Sequence, residues 1–320
     1  MKIMSHCDPA YFNYAEGLVK SIRYSGNSHH IILKLLDFSD QEKDKVYKRL
    51  KNINNIDLNF INLNSLDGNK FKIYTDCRPF LICDVLKKYN ENLLALSANG
   101  LVFTNLKDIE QTLKKKDFVF LERETWFGIK NIEDIEKLAC PRRFEGRLVT
   151  ILKNVNFVEG DKVYGPVAET LYLKRYFNFN KKQLSLEQIV HLNQTRVSLL
   201  GALGISNNLA TNFLIEKWKE YILNEKKENK KFFSSYVGSL DCDTLENDSF
   251  NRAYITVGLS GACGRVLTKE TNLWNGNVVD TACTSNKIWF AKGSTKTGGG
   301  HNGKGKRYLE KLEFFRSLYN

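Results

Sequence analysis

The stretch that decides the fold is Phe71 to Leu106, FKIYTDCRPFLICDVLKKYNENLLALSANGLVFTNL. Pro79 is placed to open a helix. The apolar residues that follow it at helical spacing are Leu81, Ile82, Val85, Leu86 and Tyr89. A short apolar run, Leu93 to Leu96, then predicts a buried strand that ends in a polar turn. Because ligands of α/β sheets bind outside the carboxyl ends of the strands, Ser97 and Asn99 are the first candidates for a site.

Strand and helix patterns alternate through the first 122 residues. The strand patterns are Lys2 to Cys7, His30 to Leu36, Ile56 to Leu63, Leu93 to Leu96 and Asp117 to Leu121. Asp8-Pro9 is placed to cap and open the first helix, and Ser39 with Glu42 has the form of a capping box for the second. A further helix is predicted from Lys107 to Lys115. This alternation predicts an α/β fold with a mostly parallel central sheet and helices on both faces.

Composition limits the class of protein. The chain has 320 residues, of which 42% are hydrophobic, so it can bury a large core. It contains no run of about eighteen apolar residues, and its N-terminus lacks the apolar core of a secretory signal, which predicts a soluble, cytoplasmic protein. Its seven cysteines form no C-x-x-C pair, so reduced thiols are expected rather than a zinc site.

The net charge of +12 limits the choice of partners. A basic protein attracts nucleic acid, anionic lipid or phosphorylated small molecules. No nucleic-acid-binding motif accompanies the charge, and the charge runs fall at predicted helix ends or loops. Nucleic acid is therefore not favoured as a partner, although a basic nucleic-acid-associated protein stays as a third interpretation.

The stretch around Arg78 resembles the nucleotide-sugar glycosyltransferases of the GT-A fold, especially the retaining group of glycogenin and the bacterial lipopolysaccharide galactosyltransferases. In that group a Y-x-x-x-R-F helix precedes a strand reading roughly VLYLDADILV, whose Asp-X-Asp holds the divalent metal that clamps the donor's diphosphate. Tyr74, Arg78 and Phe80 keep this frame. Ser97 and Asn99 stand where the two carboxylates would be, and a hydroxyl and an amide are poor ligands for a hard cation.

Two later segments are similar to the same family. Gly201 matches the glycine of its FN-x-G-V-L-x-I strand, together with Leu203 and Ile205, and the resemblance implies that this glycine approaches the donor sugar. Asp241 and Asp243 match the acids of a D-Q-D-x-L-N motif. The resemblance implies that they bind the sugar or stabilise positive charge at its anomeric carbon. Capping of a helix start is the alternative role for both.

The last similar segment lies near the C-terminus. Ile288, Trp289, Gly293 and Lys296 match an I-W-H-x-x-G-x-x-K-P-W element, in which the His completes the metal site and the Lys meets the diphosphate. Phe290 replaces that His. Because both metal-binding elements lack their ligands, we expect no metal and no other cofactor.

Without a metal, the countercharge for a diphosphate has to come from side chains. The candidates are Arg78, Lys292 and Lys296, with Gly293 beside them, although a Gly/Lys-rich stretch of this kind is also typical of a mobile loop. His6 joins the donor-binding candidates because related folds contact the nucleotide from the first strand. A core histidine is the alternative role for His6.

The chain is interpreted in three parts. Residues 1–122 form a nucleotide-binding α/β half, and 196–320 form a sugar and acceptor half with a phosphate-binding element. Residues 123–195 match nothing in the family, whose members carry acceptor contacts there, so an atypical acceptor region and a cover for one sheet edge are both open.

The resemblance implies transfer of a sugar from a nucleotide-diphosphate donor to a glycan or glycoconjugate acceptor, without a metal. A catalytically inactive GT-A-like binding protein or partner subunit is the alternative.

Overall fold

The computed structural model describes residues 1–63, 74–122, 198–228, 269–270, 288–290 and 304–319, with single residues between 246 and 257. The chain divides into two compact units. The first unit contains residues 1–121, 200–212 and 268–320, and the second contains 122–199 and 213–267. The segment 123–195, predicted as an atypical insertion, lies outside the described residues.

The elements follow one another in the predicted order. The strands are β1 (Lys2–Cys7), β2 (Ile31–Leu36), β3 (Ile56–Ile61), β4 (Leu93–Ser97), β5 (Gly100–Val102), β6 (Phe118–Glu122), β7 (Ser198–Ile205), β8 (Lys269–Glu270) and β9 (Ile288–Phe290). The helices are α1 (Phe12–Tyr24), α2 (Asp40–Leu50), α3 (Arg78–Tyr89), α4 (Lys107–Thr112), α5 (Leu209–Glu228) and α6 (Lys304–Ser317). Two 3-10 turns, Pro9–Tyr11 and Tyr74–Cys77, precede α1 and α3.

The central sheet has the strand order β3-β2-β1-β4-β7-β6-β8. Strands β3, β2, β1 and β4 are parallel to one another, whereas β7 runs antiparallel to β4. Strands β5 and β9 form a separate antiparallel pair. The prediction of an α/β fold with a mostly parallel central sheet is confirmed.

Helices cover both faces of this sheet. The chain passes from β1 to β2 to β3 in one direction and then returns across both strands to β4. Because such crossovers are right-handed, α1 and α2 lie on one face and α3 on the other. Contacts agree with this placement, since Arg49 of α2 reaches Glu16 of α1 at 2.9 Å and Lys34 of β2 reaches Asp84 of α3 at 2.5 Å.

The predicted helix starts are confirmed. The Asp8 side chain accepts a hydrogen bond from the amide of Tyr11 at 2.9 Å, and it caps a 3-10 turn that leads into α1. Ser39 and Glu42 form the capping box of α2. Cys7, Cys77 and Cys83 are buried and form no disulfide within the described ranges.

Two elements are shorter than predicted. Strand β3 ends at Ile61 because the amide of Leu63 donates to the Asp37 carboxylate at 2.8 Å instead of joining the ladder. Helix α4 ends at Thr112 because the next residues form a turn, whose Leu113 and Lys116 carbonyls both accept hydrogen bonds from the Ser206 hydroxyl.

A buried charge cluster joins three helices of the first unit. Glu16 of α1 is fully buried and accepts two hydrogen bonds from Arg49 at 2.9 and 3.0 Å. Arg316 of α6 donates to it at 3.1 Å, and Lys20 lies 3.0 Å away. Burial acts to raise the pKa of Glu16, but the hydrogen bonds from Arg49, Lys20 and Arg316 outweigh it and lower the pKa. We call these four residues the Glu16 cluster.

In the second unit, the described part of α5 buries Trp218. Its indole nitrogen donates to the backbone oxygen of Glu246 at 3.0 Å, and its ring meets Phe250 edge to face at 5.0 Å. Trp218 is therefore a packing residue. Within the described ranges, no helix is long and apolar enough to cross a membrane.

A candidate site at the carboxyl edge of the sheet

The strand order reverses between β1 and β4, and polar side chains meet at this switch point. His6 of β1 stands in register with Ser97 of β4, and on its other side with Lys34 of β2. Lys34 is in turn in register with Asn59 of β3. Residues in register on parallel strands point to the same face of the sheet. We call Ser97, His6, Lys34 and Asn59 the polar row, and it lies on the face covered by α3.

Arg78 begins α3 and reaches the end of the polar row that is nearest β4. Only 2% of it is exposed, and its Nη2 donates to Ser97 Oγ at 3.3 Å. The 3-10 turn before it is held by Cys77, whose thiol donates to the carbonyl of Tyr74 at 2.9 Å. This turn and helix start therefore place a buried guanidinium at the switch point.

His6 is a neutral imidazole at this point. Burial, and after it the positive charge of Arg78, lowers the pKa of His6 to about 3, although a hydrogen bond to the backbone of Tyr74 acts in the opposite direction. Its Nδ1 is buried with no hydrogen-bond partner in the part of the chain that the structure describes. His6 is thus a core histidine whose Nδ1 has no hydrogen-bond partner among the described residues. It lies next to Arg78 and Tyr74, two other predicted site residues.

Two carboxylates that sequence reasoning did not select also lie here. Burial, followed by the charges of Asp37 and Asp8, raises the pKa of Tyr74, which also hydrogen-bonds the Asp37 side chain. Asp37 directly follows β2 and has a left-handed backbone with φ of 57°. An aspartate directly after a buried strand was the signal that could have identified Asp37. Asp8 was interpreted only as a helix cap.

The structure brings together three stretches that are far apart in the chain. Phe290 of β9 pairs with Gly100 of β5, just after the turn that carries Ser97 and Asn99. A Cβ atom on Gly201 of β7 would lie 3.4 Å from the ring of Phe290, so the ring lies over this glycine. The backbone oxygen of Asn99 accepts a hydrogen bond from Tyr308 at 3.0 Å.

The resemblance in the sequence implies a divalent metal at this place, and the residues that the structure describes here do not fit one. Ser97 Oγ receives a hydrogen bond from a guanidinium, which is itself a cation. Phe290 offers no ligand atom and is buried, with 6% exposed. Within the described ranges, no group of three or more His, Cys, Asp or Glu residues is placed to hold a metal ion.

The remaining predicted site residues lie outside the described residues. They are Asp241, Asp243, Lys292, Gly293 and Lys296. Their roles stay predictions. The structure therefore brings together His6, Tyr74, Arg78, Ser97, Asn99 and Gly201 in the first unit.

Comparison with known proteins places this geometry in a known architecture. No family model matches the chain, and no curated protein sequence matches it. Among solved structures, the bifunctional glycosyltransferase WbbM aligns over 98% of this chain with a TM-score of 0.54 and 13% identity. The alignment covers 49% of WbbM, so the chain spans about half the length of that protein.

The galactosyltransferase LgtC, solved with donor and acceptor sugar analogues, aligns over 98% of this chain and 96% of its own. Its TM-score is 0.49 with 13% identity. At 13% identity, the similarity to WbbM is evidence for the fold and for nothing beyond it. The chain has the GT-A glycosyltransferase fold that its sequence predicted.

Proposed function

We propose that this protein transfers a sugar from a nucleotide-diphosphate donor to a glycan or glycoconjugate acceptor, without a bound divalent metal. The observation that carries the proposal is the buried Arg78, whose guanidinium lies 3.3 Å from Ser97 at the switch point of the sheet. Ligands of open α/β sheets bind at such a point. A glycosyltransferase, WbbM, shares the fold.

Sugar transfer from such a donor requires positive charge near the leaving diphosphate. Transfer breaks the bond between the anomeric carbon and the diphosphate, and negative charge grows on the leaving oxygen. A preorganised cation stabilises that charge most effectively where water is excluded. Arg78 is buried, and the planar fork of a guanidinium suits a phosphate group. Lys292 and Lys296 are proposed to add to its charge.

Recognition of the sugar and of the acceptor is assigned to other residues. His6 is neutral, so its unpartnered Nδ1 is suited to accept a hydrogen bond from a donor hydroxyl. Asp241 and Asp243 are proposed to stabilise positive charge at the anomeric carbon. The segment 123–195 is proposed to contact the acceptor.

Thermal-shift titration with a panel of nucleoside diphosphates tests the proposal. We expect one nucleotide to raise the melting temperature equally with chelator and with manganese, because a ligand that binds the folded protein but not the unfolded chain stabilises the fold. Donor cleavage in the presence of candidate acceptors is then measured. Stabilisation without any sugar release identifies the inactive binding protein instead, and no stabilisation by any nucleotide contradicts the proposal.

The Arg78→Gln variant tests the residue that carries the argument. A hydrogen bond to a charged group contributes about 1.5–3 kcal/mol, so nucleotide affinity should fall by about tenfold or more. Affinity is measured by isothermal titration calorimetry. The matched control is Arg49→Gln, which removes a guanidinium from the Glu16 cluster on the other face. Equal losses in the two variants would remove Arg78 from the site.

A further inference from the structure

An aromatic ring fills the space beside the turn that carries Ser97 and Asn99. Phe290 is buried and stands opposite Gly100 in the β5–β9 pair. A Cβ atom added to Gly100 would lie 2.6 Å from Cε1 of the ring and 3.1 Å from Cδ1. Separations below 3.0 Å are closer than real Cβ atoms approach. The ring therefore occupies the volume that the missing side chain of Gly100 leaves.

A second glycine closes the other side of the ring. A Cβ atom on Gly201 of β7 would lie 3.4 Å from Cγ of Phe290, which is an ordinary van der Waals contact. The ring is thus held between the backbones of two strands, β5 and β7. Packed interiors leave few voids as large as a water molecule, so a metal ion and its ligand shell have no room where the ring lies.

The guanidinium of Arg78 opposes a cation beside Ser97 as well. Ser97 Oγ lies 3.3 Å from the buried guanidinium of Arg78. Two like charges a few ångströms apart repel each other strongly where water is excluded. A metal ion beside Ser97 would therefore lie close to the guanidinium of Arg78, and one beside Gly100 would meet the Phe290 ring.

We infer that Phe290 excludes divalent cations from this site by occupying its volume, so that the site is closed to metal and does not merely lack ligands. The inference deepens the proposed function and rests on it, because it names what keeps the donor site metal-free. Phe290 is in this sense a specificity-determining residue.

Manganese binding to designed variants tests the inference. The Ser97→Asp/Asn99→Asp double variant supplies two carboxylates and keeps the ring. Adding Phe290→Leu to it removes the ring without adding a ligand. Binding is measured without nucleotide, from the electron paramagnetic resonance signal of free Mn²⁺. We expect no saturable binding to the wild type or the double variant, and at least about tenfold tighter binding to the triple variant.

The outcomes distinguish exclusion by the volume of the Phe290 ring from an effect of the number of metal ligands. Saturable binding by the wild type overturns the inference, and so does equal affinity of the double and triple variants. A second triple variant carries Phe290→His. If only this variant gains manganese, ligand number decides the affinity and the exclusion by volume is wrong. Should the double variant fail to fold by circular dichroism, Asn99→Asp with and without Phe290→Leu makes the same comparison.

This readout needs no sugar transfer, so the two proposals fail separately. Absence of transfer with the expected manganese pattern contradicts the proposed function alone. Transfer without metal, together with strong manganese binding by the double variant, contradicts the inference about Phe290 alone.

Discussion

Buried charge is handled differently in two regions of the first unit, the Glu16 cluster and the switch point. In the Glu16 cluster one carboxylate meets three cations of the same chain, and the contacts tie α1 to α2 and α6. At the switch point the guanidinium of Arg78 donates to the hydroxyl of Ser97 and lies near the neutral imidazole of His6. The two regions lie on opposite faces of one sheet.

The difference teaches that the place of a buried charge in the fold, rather than burial itself, distinguishes a structural cluster from a candidate site. A carboxylate that accepts hydrogen bonds from arginines of two other helices, as Glu16 does from Arg49 and Arg316, holds those helices together. A cation at the carboxyl ends of parallel strands lies where the ligands of such sheets bind, and it therefore suits an anionic ligand.

The largest expected effect comes from breaking the Glu16 cluster. Glu16→Gln leaves the cations around a neutral amide, and removal of one partner from a buried charge group costs about 3–5 kcal/mol. We expect this loss in the free energy of unfolding, measured by urea denaturation.

Glu313→Gln is the matched control for Glu16→Gln. Glu313 also pairs with Arg316, at 2.5 Å, but its side chain is 65% exposed. Exposed pairs contribute about 0–1 kcal/mol. Equal losses of stability in the two variants would show that the Glu16 cluster does not stabilise the packing of its three helices.

A smaller effect is expected from the packing at the switch point. Gly100→Ala places a methyl group 2.6 Å from the ring of Phe290, and overpacking of this kind costs about 1–3 kcal/mol. The free energy of unfolding is again the measurement. Gly201→Ala is the control, because its methyl group would make an ordinary contact with the same ring at 3.4 Å and should change stability less. The reverse order would show that the ring does not occupy the space beside Gly100.

An effect of similar size is the pH dependence that His6 adds at the switch point. Its pKa is lowered from 6.5 to about 3, so below about pH 6.5 the unfolded chain binds a proton that the folded protein does not. Stability should therefore fall as the pH drops, and His6 alone should remove about 2 kcal/mol between pH 7 and pH 5.

The measurement for His6 is urea unfolding at pH 5, 6 and 7. His6→Gln should flatten the profile by the His6 contribution. Ser5→Ala, on the same strand but facing the other side of the sheet, removes no titrating group and should keep the wild-type slope. Parallel profiles for His6→Gln and the wild type would show that His6 is not buried as a neutral group.

Much of the fold could be predicted because its signals are local. Apolar runs and caps such as Ser39 with Glu42 mark where strands and helices begin, and the alternation of the two predicts a mostly parallel sheet. The position of Ser97 after a buried strand similarly placed it at the carboxyl edge. These features depend on residues close together in the chain.

The rest of the site could not be predicted because it depends on distant pairs. Nothing near Asp37 in the sequence reveals that it faces Tyr74, and Phe290 and Gly100 are separated by most of the chain. The Glu16 cluster was missed for the same reason, since Arg316 lies 300 residues from Glu16.

The sequence by itself determined that this is an α/β chain with polar residues at the end of its fourth strand and no acidic pair there. Only the tertiary structure decided that Arg78 is buried against Ser97 and that the ring of Phe290 lies between two glycines. The physical reason is that propensity and capping act along the chain, whereas charge burial and ring packing arise only when separate strands are brought side by side.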